Sequence, residues 1–261
     1  MGQSTLIRQE QDGLAFYQFR LLQTIPGLRH GIFTRRGGES LGELDGLNLS
    51  FSVGDQVERV AGNRKRVLEM LGLPSVTSLR QVHGIDAVVI SDGQGQDTTA
   101  CPETESGDIL LTDQPGLGLM IKQADCQSVI LYDPEQRAVA NLHCGWRGNV
   151  RGVIGEGIRK MQAVYGTDPA GLLAAVGPSL GPCCAEFINY REELPEVAWK
   201  YQVRPLYFDL WQWSRDQLRA AGVREENITV AGICTACHTE EFYSYRKEKV
   251  TGRFGTVVGL G

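Results

Sequence analysis

The sequence lacks a long apolar run and an excess of basic charge. No segment of its 261 residues approaches the ~20 consecutive apolar residues that a membrane-spanning helix requires, and charged residues interrupt the N-terminus before any signal-like apolar stretch. The net charge is −5, with 26 basic and 31 acidic residues, which argues against a general nucleic-acid-binding surface. We therefore expect a cytoplasmic protein whose partners include neither membranes nor nucleic acids.

Nucleotide-binding signatures are also missing. The chain contains neither a GxGxxG nor a Walker loop, and the predicted strands and helices mix without a regular βαβ rhythm. A Rossmann or P-loop nucleotide-binding fold is therefore not expected.

Glycine and cysteine are the two residue types that are present in surplus. Glycine accounts for 32 of the 261 residues, well above its usual share of about 7%. This surplus predicts tight turns and close approaches of the backbone. Disulfides are not expected in a cytoplasmic protein, so each of the seven cysteines should pack in a core, bind a metal or act as a nucleophile. The length fits one large domain or two small ones.

Apolar periodicity predicts three helices and a series of short strands. The first helix follows Asp55, which can cap it together with Glu58, and buries a face that includes Val57. It should stop at Gly72. The other predicted helices cover residues 148–165 and 209–221. The predicted strands cover 87–90, 117–121, 128–132, 138–143, 172–176, 228–233, 242–245 and 256–260, and a glycine-rich, irregular stretch covers 34–54.

Three segments place side chains of the metal-ligand type at or beside predicted strands, around His83, Cys126 and His143. Two imidazoles and a thiolate match a zinc site with an open fourth position. The three residues are far apart in the chain, so the fold would have to bring them together; the alternative is buried structural histidines. Asp125, beside Cys126, suggests a supporting role next to the ion.

Arginines near these segments and near the glycine-rich stretch are candidates for anion binding. Arg147 could hold an anion close to the metal, with a surface ion pair as the alternative. Arg35 and Arg36 lie within glycine-rich backbone, a setting that suits phosphate or carboxylate binding, with solvated surface charge as the alternative. Gly145 and Gly148 would let the backbone approach a substrate.

A second group of cysteines includes one CxxC motif, formed by Cys234 and Cys237. Cys183 and Cys184 could supply two more thiolates to a closed four-thiolate site. The favoured interpretation is a tight turn with buried thiols.

Several segments, in order, carry a resemblance to a known family. They are HGIFTRRGG, LNLSFSVGD, QVHG, ADCQSVILYDP, HCGWRG, GPSLGPCC and CTACHTEEFYSYRKEKVTGR. Together they resemble the YfiH-type family, also called laccase-domain or polyphenol-oxidase-like proteins, over nearly the whole chain. The resemblance implies a single α/β domain, residues 1–261, with mixed β-sheets in a layered α/β/β/α arrangement. It also implies one metal ion, zinc with copper as the alternative, bound by His83, Cys126 and His143.

The activity implied by the resemblance is on purine nucleosides. It comprises phosphorolysis of adenosine, inosine and methylthioadenosine to the free base and (methylthio)ribose 1-phosphate, and deamination of adenosine. The three metal ligands and Arg147 would then be catalytic. Arg35, Arg36 and Asn48 would bind substrate, the arginines by offsetting the phosphate charge. The expected partners are a purine nucleoside and phosphate. The oligomeric state, including a homo-oligomer, is left open.

Three alternatives remain open at this stage. Cys126 could serve in an amide hydrolase that edits a peptidoglycan precursor. Copper-dependent phenol oxidation is opposed by the four histidines, too few for several copper centres. A binding module with a purely structural metal would need a fourth ligand. Cys144 is the candidate, but it neighbours His143, and adjacent residues on a strand point to opposite faces.

Cys144 and the pair Gln127 and Ser128 depart from the family's usual pattern, which leaves the substrate preference open.

Overall fold

The computed structural model describes residues 4–91 and 95–261. Its strands are β1 (Leu6–Gln11), β2 (Leu14–Phe19), β3 (Leu28–Phe33), β4 (Ser75–Ser78), β5 (Ala87–Ile90), β6 (Ile109–Thr112), β7 (Leu117–Gln123), β8 (Gln127–Asp133), β9 (Ala138–Cys144), β10 (Leu173–Val176), β11 (Gln202–Arg204), β12 (Tyr207–Phe208), β13 (Ile228–Val230) and β14 (Phe254–Leu260). Its α-helices are α1 (Arg20–Gln23), α2 (Val57–Leu71), α3 (Trp146–Arg151), α4 (Val153–Tyr165), α5 (Tyr190–Glu193), α6 (Leu210–Ala220) and α7 (Tyr245–Glu248).

The strands form two six-stranded sheets and a small hairpin. The first sheet has the order β1-β2-β3-β14-β7-β4, the second has the order β13-β10-β8-β9-β6-β5, and β11 pairs with β12. Both large sheets are mixed. In the first, β4 runs parallel to β7 whereas β14 is antiparallel to β3 and to β7; in the second, β5 runs parallel to β6 whereas β9 is antiparallel to β6 and to β8. The mixed sheets predicted for the fold are therefore present.

One apolar layer lies between the two sheets, and one lies on the outer face of each. Strand β14 shows the alternation: Val258 joins the cluster between the sheets, and its neighbour Val257 joins the cluster under α2. Strand β9 alternates in the same way: Val139 joins the cluster between the sheets, and Leu142 packs with α4 on the outer face of the second sheet. Helices α4 and α6 cover the second sheet as α2 covers the first. This is the layered α/β/β/α arrangement expected from the resemblance.

The ends of two helices follow the sequence signals. Helix α2 ends at Leu71 because Gly72 adopts a left-handed conformation, with φ at +64°. The Asp209 side chain accepts a hydrogen bond from the Gln212 backbone N–H and begins α6. None of the helices in the described ranges is long and apolar enough to cross a membrane.

The predicted start of α2 is wrong in its details. Gln56, not Asp55, is the N-cap residue. The Asp55 carboxylate accepts hydrogen bonds from Asn48 Nδ2 (2.8 Å) and Ser40 Oγ (2.6 Å), so it holds the irregular segment before the helix. Val57 is 45% exposed, because it begins the helix beyond the edge of the buried face.

The single helix predicted over residues 148–165 is two helices. Gly152 separates α3 from α4 with φ at +80°, a conformation that interrupts the helical hydrogen bonds. Gly157 has the predicted packing role: a Cβ atom there would lie 2.6 Å from Leu142 Cδ2 on β9. Gly155 has nothing within 4 Å of that position, so its lack of a side chain serves no close contact.

Two predicted strands are also corrected. Residues 242–245 form no strand: Phe242 and Tyr243 are wholly buried in the cluster between the sheets, but they reach it from a loop. Burial therefore explains their apolar character. The strand predicted at 228–233 stops at Val230, and the apolar residues that follow belong to a loop.

Candidate metal centre and active site

The structure brings together three side chains that the sequence indicated as metal ligands. The ligand atoms of His83, Cys126 and His143 all lie within 4.8 Å of one another. Cys126 Sγ is 3.7 Å from His83 Nε2, and the two imidazoles meet edge to face with their centroids 4.8 Å apart. Three ligands from separate parts of the chain thus share one small volume.

Each ligand sits at the end of a strand or in a loop beside one. His143 lies near the end of β9, Cys126 in the bend between β7 and β8, and His83 in the loop between β4 and β5. His83 and Asp125 have φ angles of +59° and +85°. Such left-handed conformations are uncommon for residues other than glycine and often mark functional sites.

Asp108, which is not among the residues predicted from the sequence, organises the two histidines. Its carboxylate accepts hydrogen bonds from the backbone N–H groups of Val82 (3.2 Å), His83 (2.9 Å) and Gly84 (2.7 Å). Its Oδ1 also lies 2.7 Å from His143 Nδ1. One buried carboxylate therefore fixes both the loop of the first histidine and the ring of the second.

The charge of Asp108 is stabilised by these contacts. Burial raises the pKa of its carboxyl group, but the hydrogen bonds from His143 and the backbone outweigh burial and lower the pKa below its usual value. The signal in the sequence is an acidic residue directly before the fully buried strand β6, a position where an unpaired charge would be costly.

Cys126 and His143 stabilise each other's charged forms. Burial raises the pKa of the Cys126 thiol, but the charge of His143 and the hydrogen bonds from both histidines outweigh it and lower that pKa to about 6. Burial lowers the pKa of His143, but the Cys126 thiolate and Asp108 outweigh it and raise that pKa to about 9. The thiolate is the form that binds metals.

The donor set fits a transition metal. A thiolate and two imidazoles are the ligands of zinc and of copper in proteins. His143 has its Nδ1 engaged by Asp108, which leaves Nε2 for an ion, the usual arrangement of a ligating histidine. The described residues place three protein ligands in this cluster, the number typical of a catalytic zinc site.

Gly145 makes room for the ligands. A Cβ atom at this position would lie 2.6 Å from His83 Cδ2 and 3.2 Å from Cys126 Sγ. The glycine therefore accommodates the candidate metal ligands, a role that the sequence did not suggest. At Gly148 the nearest protein atom would be 3.4 Å away, an ordinary contact, so no packing contact within the protein requires a glycine there.

Asp125 supports the site by binding two neighbouring loops, whereas its position beside Cys126 suggested a role next to the ion. Its carboxylate accepts hydrogen bonds from Thr235 Oγ1 (2.7 Å), Ser244 Oγ (2.7 Å) and the Arg246 backbone N–H (2.6 Å). It thereby ties two loops to the bend that carries Cys126.

Cys144 points away from the ligands. Its Sγ donates a hydrogen bond to Asn149 Oδ1 (3.0 Å), and its side chain packs in the cluster between the second sheet and α4. Burial raises the pKa of this thiol. The predicted opposite orientation of His143 and Cys144 is confirmed.

The three ligands line a cleft of about 920 Å³. Arg147 lies on its rim, exposed, with its guanidinium 4.3 Å from the centroid of the Trp146 ring. The cleft has more basic than acidic side chains. The basic ones are Arg80, Lys122, Arg147, Arg246, Lys249 and Arg253, and the acidic ones are Glu103, Asp125, Glu186 and Glu193.

A buried ion network forms one wall of the cleft. Glu103 accepts hydrogen bonds from Lys122 Nζ and from Arg64 Nη2, the latter at 2.6 Å. Burial raises the pKa of Glu103, but the two cations outweigh it and lower that pKa to about 2. Burial lowers the pKa of Lys122 to about 8. The carboxylate is thus ionised and its two partners hold it in place.

Arg35, Arg36 and Asn48 are not among the residues that line this cleft. Arg35 pairs with Glu248 at 2.7 Å, and Arg36 pairs with Glu241 at 2.9 Å, so both guanidiniums hold surface loops. They border a separate cavity of about 420 Å³.

Asn48 is wholly buried. Its Oδ1 accepts hydrogen bonds from the backbone N–H groups of Arg253 (2.9 Å) and Ser50 (3.2 Å). Both of these residues line the cleft, so Asn48 acts on the cleft through them. The three residues predicted to bind substrate are therefore outside the lining of the cleft that holds the His–Cys–His cluster.

The structure thus combines a layered α/β/β/α fold with a His–Cys–His cluster, a candidate metal site, at a basic cleft. The chain belongs to the family described as multi-copper polyphenol oxidoreductase laccase, whose profile matches residues 29–261. It is 35% identical over 246 residues to the purine nucleoside phosphorylase YlmD of Geobacillus stearothermophilus, covering 88% of this chain and 89% of that one. It is 32% identical over 235 residues to the purine nucleoside phosphorylase YfiH of Escherichia coli strain K12, covering 87% of this chain and 91% of that one.

The fold is also shared with a solved structure. The hypothetical protein YfiH of Bacillus licheniformis superposes with a TM-score of 0.88 at 25% identity, over 97% of this chain and 99% of the other. The resemblance to the YfiH-type family and the α/β fold that it implies are confirmed.

Proposed function

We propose that this protein is a zinc-dependent purine nucleoside phosphorylase. Its substrates would be adenosine, inosine and methylthioadenosine, its products the free base and (methylthio)ribose 1-phosphate, and the same site would deaminate adenosine. The observation that carries the proposal is the cluster of His83, Cys126 and His143 within a cleft rich in basic side chains. The relatives YlmD and YfiH, both named as purine nucleoside phosphorylases, support it.

His83, Cys126 and His143 would hold the zinc ion. When bound, the ion would supply a Lewis acid beside the substrate. Asp108 keeps the His143 ring in place and its Nδ1 protonated, so the geometry of the ligands is set by the protein before the substrate enters.

The cleft has the size and chemistry for a nucleoside and a phosphate. Small-molecule sites commonly enclose about 300–1,000 Å³, and this one encloses about 920 Å³. Trp146 and Phe187 contribute aromatic surface that suits a purine. The guanidiniums of Arg147 and Arg253 can each bind two phosphate oxygens.

In phosphorolysis a phosphate oxygen forms a bond to C1′ of the ribose while the bond from C1′ to the purine nitrogen breaks. The electron pair of that bond leaves with the base, which takes up a proton. Arg147 and Arg253 would orient the phosphate and offset its charge. The exclusion of bulk water by the surrounding walls would favour phosphate over water as the nucleophile.

The placement of the histidines opposes an oxidase with several copper centres. His30 is buried in the first sheet, where its Nε2 accepts the Phe19 N–H, and His238 lies on the surface beside Glu240. Only two of the four histidines therefore reach the candidate metal centre.

The test is a product assay with purified, zinc-loaded protein. Adenosine, inosine and methylthioadenosine are each incubated with and without phosphate, and the products are separated by chromatography. We expect free base and sugar 1-phosphate only when phosphate is present, and inosine from adenosine. Cys126→Ala should lose activity at least 100-fold, whereas Cys101→Ala, a free cysteine outside the cluster, should not.

Two outcomes would contradict the proposal. One is the absence of free base and of inosine although zinc is bound. The other is release of an amino acid from a muramyl-amino-acid precursor offered in parallel, without nucleoside turnover. The second outcome would assign the site to amide hydrolysis.

A further inference from the structure

Four cysteines from two turns form a second cluster, remote in sequence from the first. The Sγ atoms of Cys183, Cys184, Cys234 and Cys237 all lie within 4.8 Å of one another. Cys237 Sγ is 3.5 Å from both Cys183 Sγ and Cys184 Sγ. The turns that the sequence predicted are present, but the thiols are not all buried, since Cys183 and Cys237 are exposed.

The spacing of the sulfurs matches a metal centre. Zinc bound by four thiolates has Zn–S bonds of about 2.3 Å, which places the sulfurs about 3.8 Å apart in a tetrahedron. A disulfide would require about 2.05 Å between one pair. Because Cys237 is equally close to two partners, the arrangement suits a shared ion better than a single bond.

The backbone allows neighbouring cysteines to reach one point. Cys183 and Cys184 lie in a turn, so their side chains need not point to opposite faces as those of His143 and Cys144 do on β9. Each has its Sγ 3.5 Å from that of Cys237. Two ligands from one turn can therefore meet two from the other.

Backbone N–H groups fix the two turns and one of the four thiols. Thr235 N–H donates to the Ser179 carbonyl (3.0 Å), and the Cys237 N–H donates to the Cys234 carbonyl (3.1 Å), which closes the CxxC turn. The Gly181 N–H donates to Cys234 Sγ at 3.3 Å. An N–H aimed at sulfur stabilises a thiolate, the form that binds metal.

Two guanidiniums lie next to the cluster. Arg204 donates to the Cys183 carbonyl at 2.9 Å, and Arg246 donates to the Cys184 carbonyl at 3.2 Å. Zinc with four thiolates carries two negative charges, and these cations would offset them.

We propose that Cys183, Cys184, Cys234 and Cys237 bind a second zinc ion in a closed, structural site. The site clamps two segments of the cleft. Glu186, two residues after Cys184, lines the cleft, and Thr235 donates a hydrogen bond to Asp125 beside the bend that carries Cys126. The ion would thus hold the wall of the first site without touching the substrate, and the inference does not depend on the proposed activity.

The test counts zinc in matched variants of the full chain by elemental analysis after desalting under reducing conditions. Wild type should bind two ions, one for each cluster. The double variant Cys183→Ser, Cys237→Ser replaces the two exposed thiols and should bind one. Cys101→Ser, outside both clusters, should keep both. The double variant His83→Ala, His143→Ala should keep one ion, whose X-ray absorption shows only sulfur neighbours at about 2.3 Å.

Circular dichroism shows whether each variant folds. The proposal is overturned if the folded His83→Ala, His143→Ala protein holds no zinc or holds it through nitrogen or oxygen. It is also overturned if wild type binds one ion that the Cys183→Ser, Cys237→Ser protein retains; that result leaves the proposed nucleoside activity intact. A Cys183–Cys237 disulfide found by mass spectrometry in zinc-free wild type would also overturn the proposal, because it would assign these two thiols to a redox-sensitive bond.

Discussion

His143 Nδ1 lies 2.7 Å from Asp108 Oδ1, and both side chains are almost completely buried. An ionised carboxylate can only accept hydrogen bonds, so the proton of this contact is on Nδ1. The Nε2 atom of His143 is thereby directed to the cluster with His83 and Cys126. One carboxylate thus determines which nitrogen can bind the metal.

Replacing this carboxylate should weaken the metal site. In Asp108→Asn one acceptor oxygen becomes a donor, so the contacts with His143 and the loop of His83 cannot all be kept. We expect zinc affinity to fall by about 10- to 100-fold, as measured by competition with a chromophoric chelator. Asp113→Asn is the control, because Asp113 is exposed just after β6. Equal affinities in the two variants would show that Asp108 has no such role.

A single added methyl group should disrupt the same site sterically. In Gly145→Ala the new Cβ would lie 2.6 Å from His83 Cδ2, so the imidazole must move and zinc binding and activity should be lost. Gly155→Ala is the matched control, since nothing lies within 4 Å of its Cβ position in α4. There we expect unchanged activity and a gain of about 0.5–1 kcal/mol in the free energy of unfolding. Retention of zinc by Gly145→Ala would contradict the structure of the site.

The candidate metal ligands are indicated in the sequence by their residue types, and the resemblance of the surrounding motifs to the YfiH-type family selects them. Two histidines and a cysteine beside apolar runs are rare enough in this chain to stand out. Their convergence is not predictable from spacing, since it depends on β9 pairing with β8 and with β6. The same pairing places Asp108 beside His143. An acidic residue before a buried strand is visible in the sequence, but no local pattern shows that His143 is its partner.

The fold is predictable where local signals and tertiary packing agree. The helix begun by Asp209 follows its N-cap, and Gly72 ends α2 as its freedom at positive φ allows. The apolar run around Phe242 instead looks like a strand but fills the core from a loop. Periodicity reports burial, and burial alone does not specify the backbone conformation.

Phosphate binding should depend on an arginine of the cleft, Arg147, rather than on the arginines of the glycine-rich stretch. Arg147→Gln removes a charged donor to phosphate, and we expect kcat/KM for phosphate to fall about 10-fold, mainly through KM. Arg36→Gln should leave it unchanged, because Arg36 pairs with Glu241 outside the cleft. Steady-state kinetics at varied phosphate concentration measure both. A larger loss in Arg36→Gln would restore the substrate-binding role that the sequence suggested for that residue.

Buried His30 should make the protein less stable in acid. Its Nε2 accepts the Phe19 backbone N–H at 2.8 Å, and burial lowers the pKa of its imidazole from 6.5 to about 4. Between these values the unfolded chain binds a proton that the folded chain does not. The stabilising effect is complete above the unfolded pKa and is lost as the pH falls towards the folded one, by about 3 kcal/mol in total.

Urea unfolding at several pH values between about 4 and 7 measures this loss. His30→Gln keeps an acceptor for Phe19 but has no proton to bind, so its free energy of unfolding should fall less steeply with acid than that of wild type. His238→Gln replaces a half-exposed histidine and should keep the wild-type slope. If His30→Gln also keeps that slope, the acid sensitivity comes from other groups, and burial of His30 does not determine it.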